Sequence, residues 1–340
     1  MSNKTVSVST GKWRGLEAIT LTTHKYEAVL LPKHGSNMVR LYDKENNLDI
    51  LRTPSEQEMD EFLERPQVFG IPILFFPNRI KDGVFTYDDR KYSFEVNDFE
   101  SHSHLHGFAH NRPWQVARTE VCGYDAVVVE TVFIGNSVVD FYKSFPHEFE
   151  IRSIFKLSPE GLSHEIKVTN LSSQNMPVAI GFHTVLSVPF HPSGEPDSIV
   201  MKMGIGKRWK LSDVFMNTDE LIQLDHQEQM FLDDGIQLSE KPIVGHYTAN
   251  AFTYKGREYH GMVLEDQKNN VRICYETGKQ YGHWVVWNDD GKKGFICPEP
   301  QTCAINAPNL QNRKNESGFF GIAPDETWSE ITKIYSEPIA

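Results

Sequence analysis

The sequence predicts an all-β protein, a large antiparallel β-sandwich with few short helices, on three observations. Apolar residues recur with period two along most of the chain, turn-forming residues separate the runs, and helical patterning is almost confined to one short segment. With 340 residues the chain is long enough for two average domains or one large β domain. No internal repeat, low-complexity tract or Gly/Ser/Pro-rich linker divides it, so residues 1–340 are expected to form a single sandwich domain.

The alternation is clearest where Phe149, Ile151, Ser153, Phe155 and Leu157 interleave with Glu150, Arg152, Lys156 and Ser158. Period two puts one set on a dry face and the other on a wet face. Leu162, His164, Ile166 and Val168 alternate in turn with Ser163, Glu165, Lys167 and Thr169, and Pro159-Glu160-Gly161 between the two runs reads as a hairpin turn. Asp88-Asp89 plays the same part between Phe85-Thr86-Tyr87 and Tyr92-Ser93-Phe94. The best helical candidate is Ser55 to Arg65, preceded by Pro54 and closed by Pro66, an excursion between strands that leaves a parallel α/β architecture unsupported.

Net charge is −12, which repels nucleic acid and anionic membrane surfaces and favours a small-molecule partner. The polar stretch Met1 to Gly15 has no apolar targeting core, and the longest apolar runs, such as Ile71 to Phe76, are too short to span a bilayer. A cytoplasmic location is expected. Cys122, Cys274, Cys297 and Cys303 form no C-x-x-C pair, so they read as reduced thiols in or near the core.

Candidate chemistry begins at Pro177 to Val185, expected as one strand with Val178, Ile180 and Phe182 on one face and Ala179, Gly181 and His183 on the other. Histidine is the commonest acid/base side chain, and small neighbours would clear the face that carries His183. Glu299 lies in Phe295-Ile296-Cys297-Pro298-Glu299-Pro300-Gln301-Thr302, where each proline holds the residue before it extended. In that apolar frame desolvation raises a carboxyl pKa, which suits a base working near neutral pH, although a Glu paired with an Arg for structure fits the same residues.

Asn78-Arg79 follows the apolar run Ile71 to Pro77, so the chain leaves the core and presents an amide and a planar five-donor guanidinium, equipment that fits sugar hydroxyls. In Ser101 to His110, strand geometry would put His102, His104 and His106 on one face, where they could hold a metal if a further ligand joined them. Solvated histidines with one functional member are the plainer reading. Trp284 and Trp287 fit either core packing or stacking on a sugar.

Phe76-Pro77-Asn78-Arg79-Ile80 with Asp82-Gly83, then Leu105-His106-Gly107, then Gly181-Phe182-His183, then Pro298-Glu299-Pro300-Gln301-Thr302 together resemble the aldose 1-epimerase (galactose mutarotase) family in order and spacing over nearly the whole chain. The resemblance implies a β-supersandwich with a sugar cleft on one sheet and no metal or organic cofactor. It implies Glu299 as the base that takes the anomeric hydroxyl proton and His183 as the acid that protonates the ring oxygen of a free aldose. Asn78, Arg79 and His106 would then position the sugar. The chain departs from galactose-converting members at Thr184-Val185-Leu186 and at Phe108, and the family's hydroxyl-binding Asp falls near either Asp233-Asp234-Gly235 or His246 to Phe252.

Two other functions compete. A hexose-phosphate 1-epimerase would need a basic cluster for the phosphate, for which Lys207-Arg208 and Lys210 are candidates. A carbohydrate-binding protein without chemistry would have no use for both His183 and Glu299.

Overall fold

The alternating runs become paired strands as the pattern requires. Phe149–Ser158 and Gly161–Asn170 form a hairpin with Ser158 opposite Gly161, and every residue read as dry on these strands is buried. Complete burial of a side chain such as Phe155 or Ile166 contributes roughly 1.5–3 kcal/mol. Val84–Tyr87 and Arg90–Ser93 form the second expected hairpin, with Asp88 and Asp89 at φ of 45° and 60° in its turn.

The computed structural model describes residues 6–239 and 241–339. The first hairpin lies within a nine-stranded sheet that runs from Gln115–Cys122 at one edge to Ile236–Gln237 at the other. Thr327–Pro338 and Val271–Thr277 occupy its middle. A second sheet runs in the order Asn217–Ile222, Ile205–Leu211, Val244–Ala249, His283–Trp287, Phe295–Gln301, Gly181–Phe182, Ile73–Leu74. A five-stranded meander of residues 7–49 completes the larger sheets. Paired strands among the described residues are antiparallel, and an isolated parallel bridge joins Phe75 to Gly107.

The two large sheets face one another across one continuous apolar cluster that includes Phe155, Ile166 and Ile334 from the first and Trp284, Val286 and Ile296 from the second. The His164 ring packs 4.7 Å from that of Phe182, and the hydroxyls of Tyr275 and Thr184 meet at 2.9 Å. Because strand side chains alternate, the residues between those core positions on the second sheet must face away from the nine-stranded sheet. The candidate site lies on that outer face. No helix among the described residues is long and apolar enough to cross a membrane. Three of the cysteines are buried, Cys122 is half-buried, and all four are free.

Two expectations need correction. The helix covers Met59–Glu64 instead of Ser55 to Arg65, followed by a single 3₁₀ turn at Pro66–Val68. The Glu58 carboxylate accepts from the Ser55 backbone N–H and pairs with Arg52, so the expected first turn serves as a tether to the neighbouring strand end. The segment Pro177 to Val185 is not one strand. Met176–Val178 pairs with Phe320–Ile322, whereas Gly181–Phe182 pairs with the second sheet, so the chain changes partners between them. At the change Ile180 donates its N–H to the Thr302 hydroxyl at 3.0 Å and accepts from the Thr302 N–H at 2.8 Å.

One close approach ties the fold to the site. Phe108 N–H donates to the Phe75 carbonyl at 2.8 Å, and His106 N–H donates to the Asn78 carbonyl at 3.0 Å. Between them Gly107 sits at φ 67°, and a Cβ there would lie 1.9 Å from the Phe75 carbonyl oxygen. Only glycine permits this contact. Gly107→Ala is therefore expected to cost at least about 2 kcal/mol in unfolding free energy, measured by chemical denaturation, because a left-handed backbone and a backbone clash both penalise it. An unchanged denaturation midpoint would show that the two loops are not held by this approach.

Candidate active site

Glu299 and His183 are brought together by neighbouring strands of the second sheet. On Phe295–Gln301, Glu299 faces out of the sandwich directly opposite Val285, while Ile296 faces inward. Gln301, two residues on, shares the outward face and donates its side-chain amide to Glu299 Oε2 at 3.2 Å. Gly181 opposite Gln301 leaves room for this, since a Cβ there would lie 2.9 Å from Gln301 Cγ. The next turn of chain places His183, whose backbone N–H donates to the Pro72 carbonyl at 3.1 Å. His183 Nε2 then lies 3.4 Å from Glu299 Oε1, with the two side chains only 7% and 2% exposed.

Burial works on both partners against charge. It pushes the Glu299 carboxyl well above its ordinary range, opposed by the Gln301 amide and the Arg79 charge. It pushes the His183 imidazole down to about 3, with the charge of Arg65 adding to the shift. Neither group gains by ionising without the other, so between the lowered pKa of His183 and the raised pKa of Glu299 the pair holds one proton. That is what reversible acid/base chemistry needs: one partner able to give a proton and the other able to take it.

The remaining predicted residues surround this pair. Asn78 and His106 hold left-handed backbone, at φ of 56° and 66°, conformations uncommon outside glycine. His106 presents its ring edge-on to His183, with ring centres 5.4 Å apart, and His110 stands behind it at 5.9 Å. Desolvation, reinforced by the neighbouring histidines, keeps His106 neutral by moving its pKa well down. Arg79 is fixed by Asp98, whose Oδ2 accepts from its Nε at 2.8 Å. Burial alone would raise the Asp98 carboxyl, but the Ser101 hydroxyl and the Arg79 guanidinium together hold it below its ordinary value.

All five predicted residues line one cleft of about 380 Å³. Other cleft residues are Trp287, Asp289, Arg65 and Phe215. The ambiguity between the tryptophans resolves by alternation. Trp284 is buried in the core, whereas Trp287 lines the cleft with its ring 5.8 Å from that of His183. Gln301 was within reach of sequence reasoning, because position i+2 on an extended strand shares the face of Glu299. Asp289, not Asp233 or Asp234, is the aspartate that lines the cleft.

The histidine-rich run does not converge. It is strand only over Ser103–Leu105, and His102 at φ 50° turns out to solvent toward Asp82. His104 is buried with Nδ1 2.7 Å from the Glu95 carbonyl, and only His106 of the three lines the cleft. Among the described residues no three His, Cys, Asp or Glu side chains gather as a metal-ligand set. The basic cluster also stands apart. Arg208 pairs with Glu228 at 3.0 Å, Lys210 pairs with Glu220 at 3.1 Å, and neither they nor Lys207 line the cleft.

Fold and site together define an antiparallel β-sandwich protein with a buried His–Glu pair in a cleft on the outer face of one sheet. The chain belongs to the aldose 1-epimerase family, whose model matches residues 17–335. A galactose mutarotase-like protein from Clostridium acetobutylicum is 34% identical, with a TM-score of 0.95 over 98% of this chain and 99% of that one. Galactose 1-epimerase from Lactobacillus acidophilus NCFM shares the fold, with a TM-score of 0.71 at 12% identity over 98% of this chain and 99% of that one. The Escherichia coli K12 protein YihR is 23% identical over 172 residues, a match covering about half of each chain at 50%.

The shared proton gives a pH dependence with a definite sign. The one-proton state persists between the lowered pKa of His183 and the raised pKa of Glu299, and it is lost below the first by gain of a proton and above the second by loss of one. kcat/KM should therefore hold its neutral value as pH falls through 6.5, the ordinary imidazole value, with the acid limb well below it. An acid limb centred at 6.5 would contradict the shared-proton description.

Proposed function

We propose that this protein is an aldose 1-epimerase, interconverting the α and β anomers of a sugar whose anomeric hydroxyl is free. The observation that carries the proposal is the buried 3.4 Å contact between His183 and Glu299 in a cleft lined by hydrogen-bonding groups. Glu299 takes the proton of the anomeric hydroxyl while His183 gives one to the ring oxygen. The bond between the anomeric carbon and the ring oxygen breaks, leaving an open-chain aldehyde. Rotation about the adjacent carbon–carbon bond exposes the other face of the carbonyl. On reclosure the new ring hydroxyl returns its proton to His183 as Glu299 gives one to the carbonyl oxygen.

The electrostatics of the cleft suit this cycle. The step that opens the ring converts a charged pair, carboxylate and imidazolium, into a neutral pair. Burial favours the neutral pair, which stabilises the state that faces the aldehyde. Because the same neutral pair is the resting form, the proton passes from Glu299 to His183 when the sugar is seated, before the ring opens. Asn78, Arg79 and His106 hold the hydroxyls so that the anomeric centre lies between base and acid, which spares most of the orientational cost of the reaction. Trp287 and Phe215 offer apolar faces for the sugar ring. A protein that only binds carbohydrate gains nothing from keeping an acid and a base desolvated together.

The test is conversion of a freshly dissolved pure anomer, followed by polarimetry or NMR, for the wild-type protein and two variants. Glu299→Gln should fold normally and lose at least about a hundredfold in turnover, since the amide cannot take the proton. His183→Asn should lose roughly two to four orders of magnitude in turnover while keeping much of the sugar affinity. Both variants should slow the two directions equally and leave the final anomer ratio unchanged. Near-normal turnover in either variant would remove that residue from the mechanism.

A further inference from the structure

The charges around the cleft do not balance. Arg79 is neutralised by Asp98 at 2.8 Å, Asp289 by Lys293 at 2.6 Å, and the His183–Glu299 pair is neutral as a unit while it holds one proton. Arg65 is different. It lines the same cleft, partly buried, and among the described residues no carboxylate lies within ion-pair distance of it.

The reason lies in the short helix that ends beside it. Arg65 follows Met59–Glu64, and its backbone N–H closes that helix on the Glu61 carbonyl. Glu58 and Glu61, the acidic side chains that could have reached it, are turned to Arg52, at 3.1 and 3.9 Å. Asp60 and Glu64 are exposed on the helix surface. In a chain of net charge −12 with 46 acidic side chains, one guanidinium is thus left facing the cleft beside the Gln67 amide. It is also near enough to the acid/base pair for its charge to act on His183.

Resting on the epimerase reading, we infer that Arg65 is a specificity-determining residue that selects an aldose with an anionic substituent, a phosphate or a carboxylate, on a carbon other than the anomeric one. A neutral hexose gives this guanidinium no countercharge, whereas an acidic group on the sugar completes a charge-assisted pair with a planar donor fork built for oxyanions. The same charge offsets the repulsion that an acidic protein exerts on an acidic sugar.

The experiment measures anomer exchange of glucose, glucose 6-phosphate and glucuronic acid by NMR, with the full chain as wild type, Arg65→Gln and Arg65→Lys. Wild type should prefer at least one of the anionic sugars over glucose by about tenfold or more in kcat/KM. Arg65→Gln should shrink that ratio by about tenfold to a hundredfold, and Arg65→Lys by less, because it keeps the charge and loses the fork. The ratio is internal to each protein, so a partly unfolded variant does not distort it. Added salt should raise KM for the preferred anionic sugar in wild type and have little effect on it in Arg65→Gln. Preference for the phosphate alone or for both anions supports the inference and identifies the group. Exchange of glucose with no anionic preference, or a ratio unmoved by Arg65→Gln, overturns this inference and leaves the epimerase reading standing. Failure to exchange any of the three sugars overturns both.

Discussion

Everything at the site depends on burying two ionisable side chains against each other. His183 and Glu299 meet on the outer face of the second sheet, each almost wholly withdrawn from solvent. In that environment a lone carboxylate or a lone imidazolium is costly, and the pair avoids the cost by sharing one proton. A single proton held by an imidazole and a carboxyl in contact is the minimum equipment for moving a proton onto one sugar oxygen and off another. The Gln301 amide holds the Glu299 carboxyl, and the Pro72 carbonyl anchors the backbone that carries His183.

That placement is a product of the sandwich. The same alternation that sends Trp284, Val286 and Ile296 into the core sends Val285, Trp287 and Glu299 into the cleft. The nine-stranded sheet supplies the apolar support, and through the Tyr275–Thr184 hydroxyl contact it reaches the residue next to His183. The loops that carry Asn78 and His106 hold each other through the close approach at Gly107. Their left-handed backbones are strain of the kind that a well-packed scaffold can hold and that functional sites often use.

How much of this could be read in the sequence follows from how local each feature is. The hairpin of residues 149–170 was legible because a half-buried strand writes its two faces into alternate residues. Glu299 in an extended frame was legible because its flanking prolines allow little else. The break between Val178 and Gly181 was not legible. It arises where the chain exchanges the strand Phe320–Ile322 for the second sheet, a pairing of residues far apart in sequence. The same holds for Arg65, Phe215 and Asp289, which reach the cleft from loops placed by long-range contacts. Charge patterning could name Arg208 and Lys210 only as candidates, since the folding of Glu228 and Glu220 against them is a tertiary feature. The shared face that strand geometry would give His102, His104 and His106 does not form because two of them leave strand geometry at positive φ.

The central claim is that His183 and Glu299 hold one proton between them, and site-resolved NMR of the two side chains tests it most directly. The protein would carry ¹⁵N-labelled histidine and ¹³C-labelled glutamate, with His183→Asn and Glu299→Gln used to assign the signals. Between about pH 6 and 8 the two chemical shifts should together account for a single bound proton, with the imidazole showing no titration centred at 6.5. An imidazole that titrates at 6.5 while Glu299 remains fully ionised throughout would contradict the account.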